Sequence, residues 1–309
     1  MVEISRGYLD LQVNGYMGVD FNATDLTVEQ LRYACEALSS DGVDGVLATI
    51  ITDQPDAMLD RLTTIATACT SDPLIARMVR GIHIEGPFIS DRSGYVGAHP
   101  PTAVQAADLE LAKRLLDAAG GLTRIVTLAP EQDPDFRLTR YLSNQGIVVS
   151  AGHCDPSYDQ LLGATDAGLS MFTHLGNGCP ADMQRHDNIV QRVLALAGRI
   201  WVSFIGDGVH VPYFALRNYL QLVGLQRAVI VTDAISAAGQ GAGQFEVAGK
   251  PVVVDELGVT RYPGVDSHFV GSAATLPQIV ERLGREVGLD REELQQLVCD
   301  NPRQVIGLG

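Results

Sequence analysis

The sequence predicts an α/β fold, a closed (β/α)8 barrel of the TIM type, on three observations. Eight short apolar runs alternate with longer helical patterns along most of the chain. The runs are rich in Val and Ile and apolar on both faces, as strands buried in a parallel sheet are. Nearly every run ends in a polar or ionisable residue, and in such a barrel those ends converge on one face. An open doubly wound sheet is the alternative. It lacks its usual support, because no GxGxxG follows the first strand.

Taken in order, the strands are expected at 7–13, 45–52, 78–84, 122–128, 147–151, 170–173, 201–205 and 228–231. Helices are expected between them at 27–39, 55–69, 102–119, 134–144, 157–167 and 212–222. Several open with a capping residue or with proline in the first turn, as at Asp25-Leu-Thr, Asp155-Pro and Val211-Pro. After the eighth strand, 245–262 alternates and turns like a β-hairpin excursion. Helical patterns resume at 273–287 and 291–299, and NPRQVIGLG closes the sequence. No internal repeat or linker interrupts it, so residues 1–309 are expected to form a single barrel domain.

Composition narrows the function. The 309 residues carry 22 Lys and Arg against 37 Asp and Glu, a formal charge of −15. Such a surface repels nucleic acid and anionic membranes, so neither is an expected partner. A few Arg or His residues can still make one pocket locally positive for an anionic substrate. The five cysteines are odd in number, scattered and without a CxxC pair, which reads as reduced thiols in a cytoplasm rather than a disulfide framework. No signal-peptide pattern opens the sequence, and no apolar run reaches membrane-spanning length.

The polar strand ends are the informative feature. Strand one ends Gln12-Val13-Asn14, strand three His83-Ile84-Glu85, strand five Gly152-His153 and strand six Thr173-His174. Strand seven ends Gly206-Asp207-Gly208-Val209-His210, and strand eight Thr232-Asp233. Singly, each has a plain structural account: a hydrogen-bonded histidine, a helix-capping Asp233, a turn residue at Glu85. Jointly they are costly to bury and would collect at one face. A carboxylate with two imidazoles is a common ligand set for a divalent ion, zinc above all, with a position left open for water. Such an ion brings the pKa of its water to about 7, and a further carboxylate can move that water's proton. The reaction class that follows is metal-assisted hydrolysis.

Several segments together resemble a known family. They are GYLDLQVNGYMGVDF, GIHIEGPFIS with GAHPP, LAPE, SAGHCDPSYDQ, THLGNGCP, GDGVHVP, VTDAISAAG and VGSAATL. In this order they are similar to the N-acetylglucosamine-6-phosphate deacetylases of the amidohydrolase superfamily. The resemblance implies metal ligation by Glu85, His153 and His174, with Asp233 as catalytic acid and base. It implies substrate contacts from Asn177, Gly178, Arg185, His210 and His99. Superfamily members often carry His-x-His at strand one for a second metal. Here Gln12 and Asn14 stand at those positions, and a mononuclear site is expected because amides substitute poorly for imidazole around zinc. The implied cofactor is one divalent ion, zinc or iron among the transition metals, and the implied partner is an amino sugar phosphate.

Two departures from the family pattern are visible. The small β-sandwich that members build around the barrel has no counterpart in this sequence, and a homodimer could cover the surface so left. The family's THLxNAM reads THLGNGC, which sets Gly176, Gly178 and Cys179 beside the pocket. Two further readings stay open: an amidohydrolase for another N-acyl amino sugar or a cyclic amide, and a non-catalytic barrel that binds sugar phosphate.

Overall fold

The computed structural model describes residues 6–265 and 268–308. Eight parallel strands stand side by side in chain order: β1 (Tyr8–Val13), β2 (Val43–Ile51), β3 (Val79–Glu85), β4 (Thr123–Leu128), β5 (Val148–Ala151), β6 (Leu169–Phe172), β7 (Trp201–Ile205) and β8 (Ala228–Val231). The cylinder closes between β1 and β8. At the C-terminal rim Val13 bridges Ala234, and the Asn14 amide donates to the Ala234 carbonyl at 2.7 Å. Deeper in the barrel this seam is held by a side chain. The buried Asp10 carboxylate accepts from the Thr232 hydroxyl at 2.6 Å and from the Thr232 amide at 3.3 Å. The expected barrel is thus the observed one.

Helices cover the outside: α1 (Val28–Ser40), α2 (Pro55–Ser71), α3 (Pro73–Met78), α4 (Leu109–Ala118), α5 (Arg137–Asn144), α6 (Tyr158–Asp166), α7 (Ile189–Leu196) and α8 (Tyr213–Val223). Their starts are set by local hydrogen bonds. Thr27 and Ser157 each form a capping box with a glutamine three residues on. The expected helix at 102–119 begins only at Leu109, because the Asp108 carboxylate accepts from the Glu110 and Leu111 amides at 2.8 and 3.0 Å. The expected helix at 134–144 is broken near its start. Asp135 and Phe136 are left-handed, and the buried Asp133 carboxylate takes over the Leu138 and Thr139 amides. Pro73 ends α2 and opens α3, a separate helix the apolar pattern does not separate.

Beyond β8 the excursion is a three-stranded antiparallel sheet, β9 (Gly243–Val247), β10 (Lys250–Val254) and β11 (Thr260–Arg261), where the alternation predicts only a hairpin. Val247, Val252 and Val254 pack on Ile235 and Val270 beside the rim. The Tyr262 hydroxyl donates to the Ala98 carbonyl at 3.3 Å, joining this sheet to the loop that follows β3. The chain then runs through α9 (Leu276–Arg282), α10 (Arg291–Gln295) and α11 (Asn301–Val305) to the opposite end of the barrel. There Val305 and Ile306 pack with Leu9, Leu11 and Leu47, so the floor is apolar and the chemistry is confined to the other face. No helix among the described residues is long and apolar enough to cross a membrane.

Candidate metal centre and active site

The barrel brings the predicted strand-end residues together. Glu85 is the last residue of β3, and His153, His174 and Asp233 each lie two residues past the ends of β5, β6 and β8. Glu85, His153 and His174 are buried, and Asp233 is half-buried. His153, His174 and Asp233 have positive φ of 50°, 38° and 52°, a conformation that side-chain-bearing residues seldom adopt and that the surrounding fold must impose. The strand has ended, and the left-handed turn aims each side chain back over the barrel mouth.

Glu85 Oε1 lies 2.9 Å from His174 Nε2 and 3.4 Å from His153 Nε2, and the two Nε2 atoms are 3.2 Å apart. Ligands at the corners of a tetrahedral zinc site are about 3.3 Å apart when the bonds are about 2.0 Å long. The separations therefore fit one small cation. The His153 tautomer fits as well. Its Nδ1 faces the Tyr95 carbonyl at 2.8 Å, and because a carbonyl can only accept, the proton sits on Nδ1 and Nε2 keeps a lone pair. Glycines hold this ring on two sides. A Cβ at Gly178 would stand 2.9 Å from His153 Nδ1, and one at Gly97 would stand 3.0 Å from its Cε1.

His99 enters the same cluster. Its Nε2 is 3.2 Å from His153 Nε2, and Glu85, His99 and His153 form a set that could hold a metal ion. Burial, with the neighbouring His153, pushes its pKa down to about 3, so the ring is neutral. Burial would raise Glu85, but the His153 and His174 imidazoles against it hold it well below the usual carboxylate range. Asp233 is pushed the other way, up to about 6, by burial and then by the Glu85 charge. One carboxylate stays ionised while the other can exchange a proton near neutral pH, a division of roles suited to acid–base chemistry.

These side chains stand where hydrolysis would need them, and comparison with known proteins says whose they are. No family model matches the chain. The human N-acetylglucosamine-6-phosphate deacetylase is 33% identical over 315 residues, covering 99% of this chain and 75% of the relative. The chain belongs to the N-acetylglucosamine-6-phosphate deacetylase family. The Bacillus subtilis deacetylase is 32% identical over 250 residues, which cover 80% of this chain and 62% of the relative. A solved mutant of the Mycobacterium smegmatis deacetylase, in complex with N-acetyl-D-glucosamine-6-phosphate, superimposes with a TM-score of 0.88 at 31% identity. That superposition covers 98% of this chain and 77% of the other. The matches thus span between 62% and 77% of the length of these relatives.

Within the family frame the strand-one amides have defined partners. Gln12 Nε2 donates to Glu85 Oε1 at 3.2 Å, and Asn14 Nδ2 donates to Asp233 Oδ1 at 2.7 Å. His210 lies half-buried at the rim, its Nδ1 2.7 Å from Asp207 Oδ2, with its ring edge-on to Phe269. Burial acts to raise Asp207, yet the His210 charge and hydrogen bonds bring it down to about 2. His210 also lowers Asp233 electrostatically, which places it in the same field. Asn177 is half-buried and donates to the His174 carbonyl at 3.4 Å. Arg185 is not brought to the cluster. It is exposed on the loop before α7, without a hydrogen bond or ion pair among the described residues.

The sequence reading does not give Asp207, Tyr95 or Asp155 a role. Asp207 had a signal, its spacing three residues before His210. Tyr95 acts through its carbonyl, which no side-chain pattern reveals. Asp155 joins three loops, accepting from Arg92 at 2.6 Å and Arg192 at 2.8 Å while its amide donates to Glu131 at 2.6 Å. Arg192 in turn holds Asp187 at 2.7 Å.

Proposed function

We propose that this chain hydrolyses the acetamide of N-acetylglucosamine 6-phosphate, releasing acetate and glucosamine 6-phosphate, with one divalent ion, zinc by the chemistry of its ligands, at Glu85, His153 and His174. The observation that carries the reading is the tetrahedral spacing of those ligand atoms beside Asp233, whose carboxyl is pushed up to about 6 by burial and the Glu85 charge. Glu85, His153 and His174 would hold such an ion, which would make hydroxide available at neutral pH and polarise a bound carbonyl. Asp233 takes the water's proton on its carboxylate and returns it to the nitrogen of the departing amine. His210, anchored to Asp207 through Nδ1, donates through Nε2–H to the acetyl oxygen as it gains charge, which requires a proton on both ring nitrogens. Asn177, Gly178 and His99 line the sugar. Arg185 meets the phosphate, for which a guanidinium fork is well matched.

The amides of Gln12 and Asn14 support a count of one ion, because their N–H groups occupy carboxylate lone pairs that a second ion would need. The acidic surface favours a small anionic substrate met in a local pocket over nucleic acid or membrane, and we place the protein in the cytoplasm as a homodimer. The test is acetate release from N-acetylglucosamine 6-phosphate by protein loaded with Zn2+, against chelated protein. Release that stops on chelation and returns with the ion supports the reading. A loaded sample that binds the sugar phosphate without releasing acetate would establish the non-catalytic barrel instead.

A further inference from the structure

The amide of Asn14 has two ends, and only one is accounted for within the protein. Its Nδ2 donates to Asp233 Oδ1 at 2.7 Å; an ionised carboxylate can only accept, so the amide orientation is forced. Its Oδ1 is buried and has no partner among the described residues. The residue is 4% exposed, and its backbone is clamped on both sides. Its N–H donates to the Ala234 carbonyl at 2.7 Å, and its own carbonyl accepts from the Phe21 amide at 2.9 Å. The side chain therefore cannot swing out to water, and an unmatched buried acceptor is costly unless a ligand supplies the donor.

Resting on the deacetylase reading, we propose that Asn14 is a positioning residue that reads the N–H of the scissile amide. Its Nδ2 fixes one oxygen of Asp233 and leaves the other to carry the proton. Its Oδ1, part of the same amide group and so beside Asp233, accepts the N–H of the bound acetamido group. The role follows from the geometry of C–N cleavage. As water adds to the carbonyl carbon, the nitrogen becomes pyramidal and gains a lone pair. That lone pair must face the proton on Asp233 before the C–N bond breaks and the amine leaves with its electrons. An N–H held by Asn14 sets the rotation about that bond. An ester has no N–H, and its leaving oxygen can take a proton through either lone pair. Asn14 thus selects amides over esters.

The test compares N-acetylglucosamine 6-phosphate with 2-O-acetylglucose 6-phosphate, using wild type and Asn14→Leu, which keeps the forked shape and removes both polar ends. Bound Zn2+ should stay at the wild-type level, since Glu85, His153 and His174 are untouched. Both kcat values should fall, because Asp233 loses its Nδ2 partner in either reaction, but the amide's should fall at least about tenfold further than the ester's, with KM for the amide within about threefold. Equal losses on both substrates, an amide kcat within about threefold of wild type, or loss of the metal would each overturn the proposal. Should Asn14→Leu fail to fold, Asn14→Ser is read against the same criteria. Wild-type protein that releases no acetate from the amide sinks the deacetylase reading, and this proposal with it, whatever the variants do.

Discussion

Single side chains here show how one buried site keeps two carboxylates in different states. Glu85 is held low by the imidazoles beside it, whereas Asp233 has burial and a like charge against it, offset only in part by His174, His210 and Asn14. A carboxyl raised in the fold works as a base only above its pKa. Activity limited by Asp233 should therefore be low in acid and rise as pH passes about 6, seen as the acid limb of kcat/KM. The stability sign is the reverse. A raised carboxyl contributes stability below its ordinary range and loses it as pH climbs through about 6. Asp233→Asn should thus leave metal binding intact and lower kcat by about 10³ or more. It should also raise the Tm of the metal-free protein at pH 8 above that of wild type. Gly178 makes a second residue-scale prediction. Its φ is +61° and its missing Cβ is what lets the His153 ring sit flush. Gly178→Val should weaken zinc binding by about tenfold or more, measured by competition with a chromophoric chelator.

Among the elements, the loops matter more than the helices. Loops 86–103, 152–157 and 173–188 follow β3, β5 and β6 and carry His99, His153 and Arg185, and the Arg92–Asp155–Arg192–Asp187 chain pins them to one another. Asp155 and Arg192 are largely buried, so this chain is less screened than a surface pair. Asp155→Ala should raise KM for the sugar phosphate about tenfold with kcat within about threefold, and should speed amide exchange across 173–188. The sequence was legible at this scale where periodicity governs and opaque where side chains capture backbone amides. The β-strands fall within two residues of expectation because their apolar runs are continuous. The start of α4 does not, because the Asp108 cap cuts short a helical pattern that reads back to residue 102. Glu85, His153, His174 and Asp233 stood out in the sequence because each lies at or just past the end of a strand, whereas Arg185, on a loop, is not brought to them. Asp155 was read only as a helix start, since its role depends on Arg92 and Arg192, remote in sequence.

At the scale of the whole molecule, the two ends of the barrel divide the work. The apolar floor of Leu9, Leu11, Leu47, Val305 and Ile306 supplies stability, and Leu9→Ala there should cost about 2–5 kcal/mol in urea unfolding without changing zinc affinity. The rim carries the candidate site and should gain stability from an ion bound there. Free zinc at about 100 times its dissociation constant should add about 2.7 kcal/mol, so chelation should lower Tm.

The join between β1 and β8 differs from the other seven contacts between neighbouring staves. Backbone ladders zip those, whereas here a rim bridge and one carboxylate–hydroxyl clasp at Asp10 and Thr232 do the fastening. A hoop with one weak rivet parts there first when stressed. Asn14 and Asp233 face each other across that very gap, so a partial breathing of the cylinder would break their hydrogen bond while most of the fold stays intact. Heat should then silence turnover several degrees before the global transition.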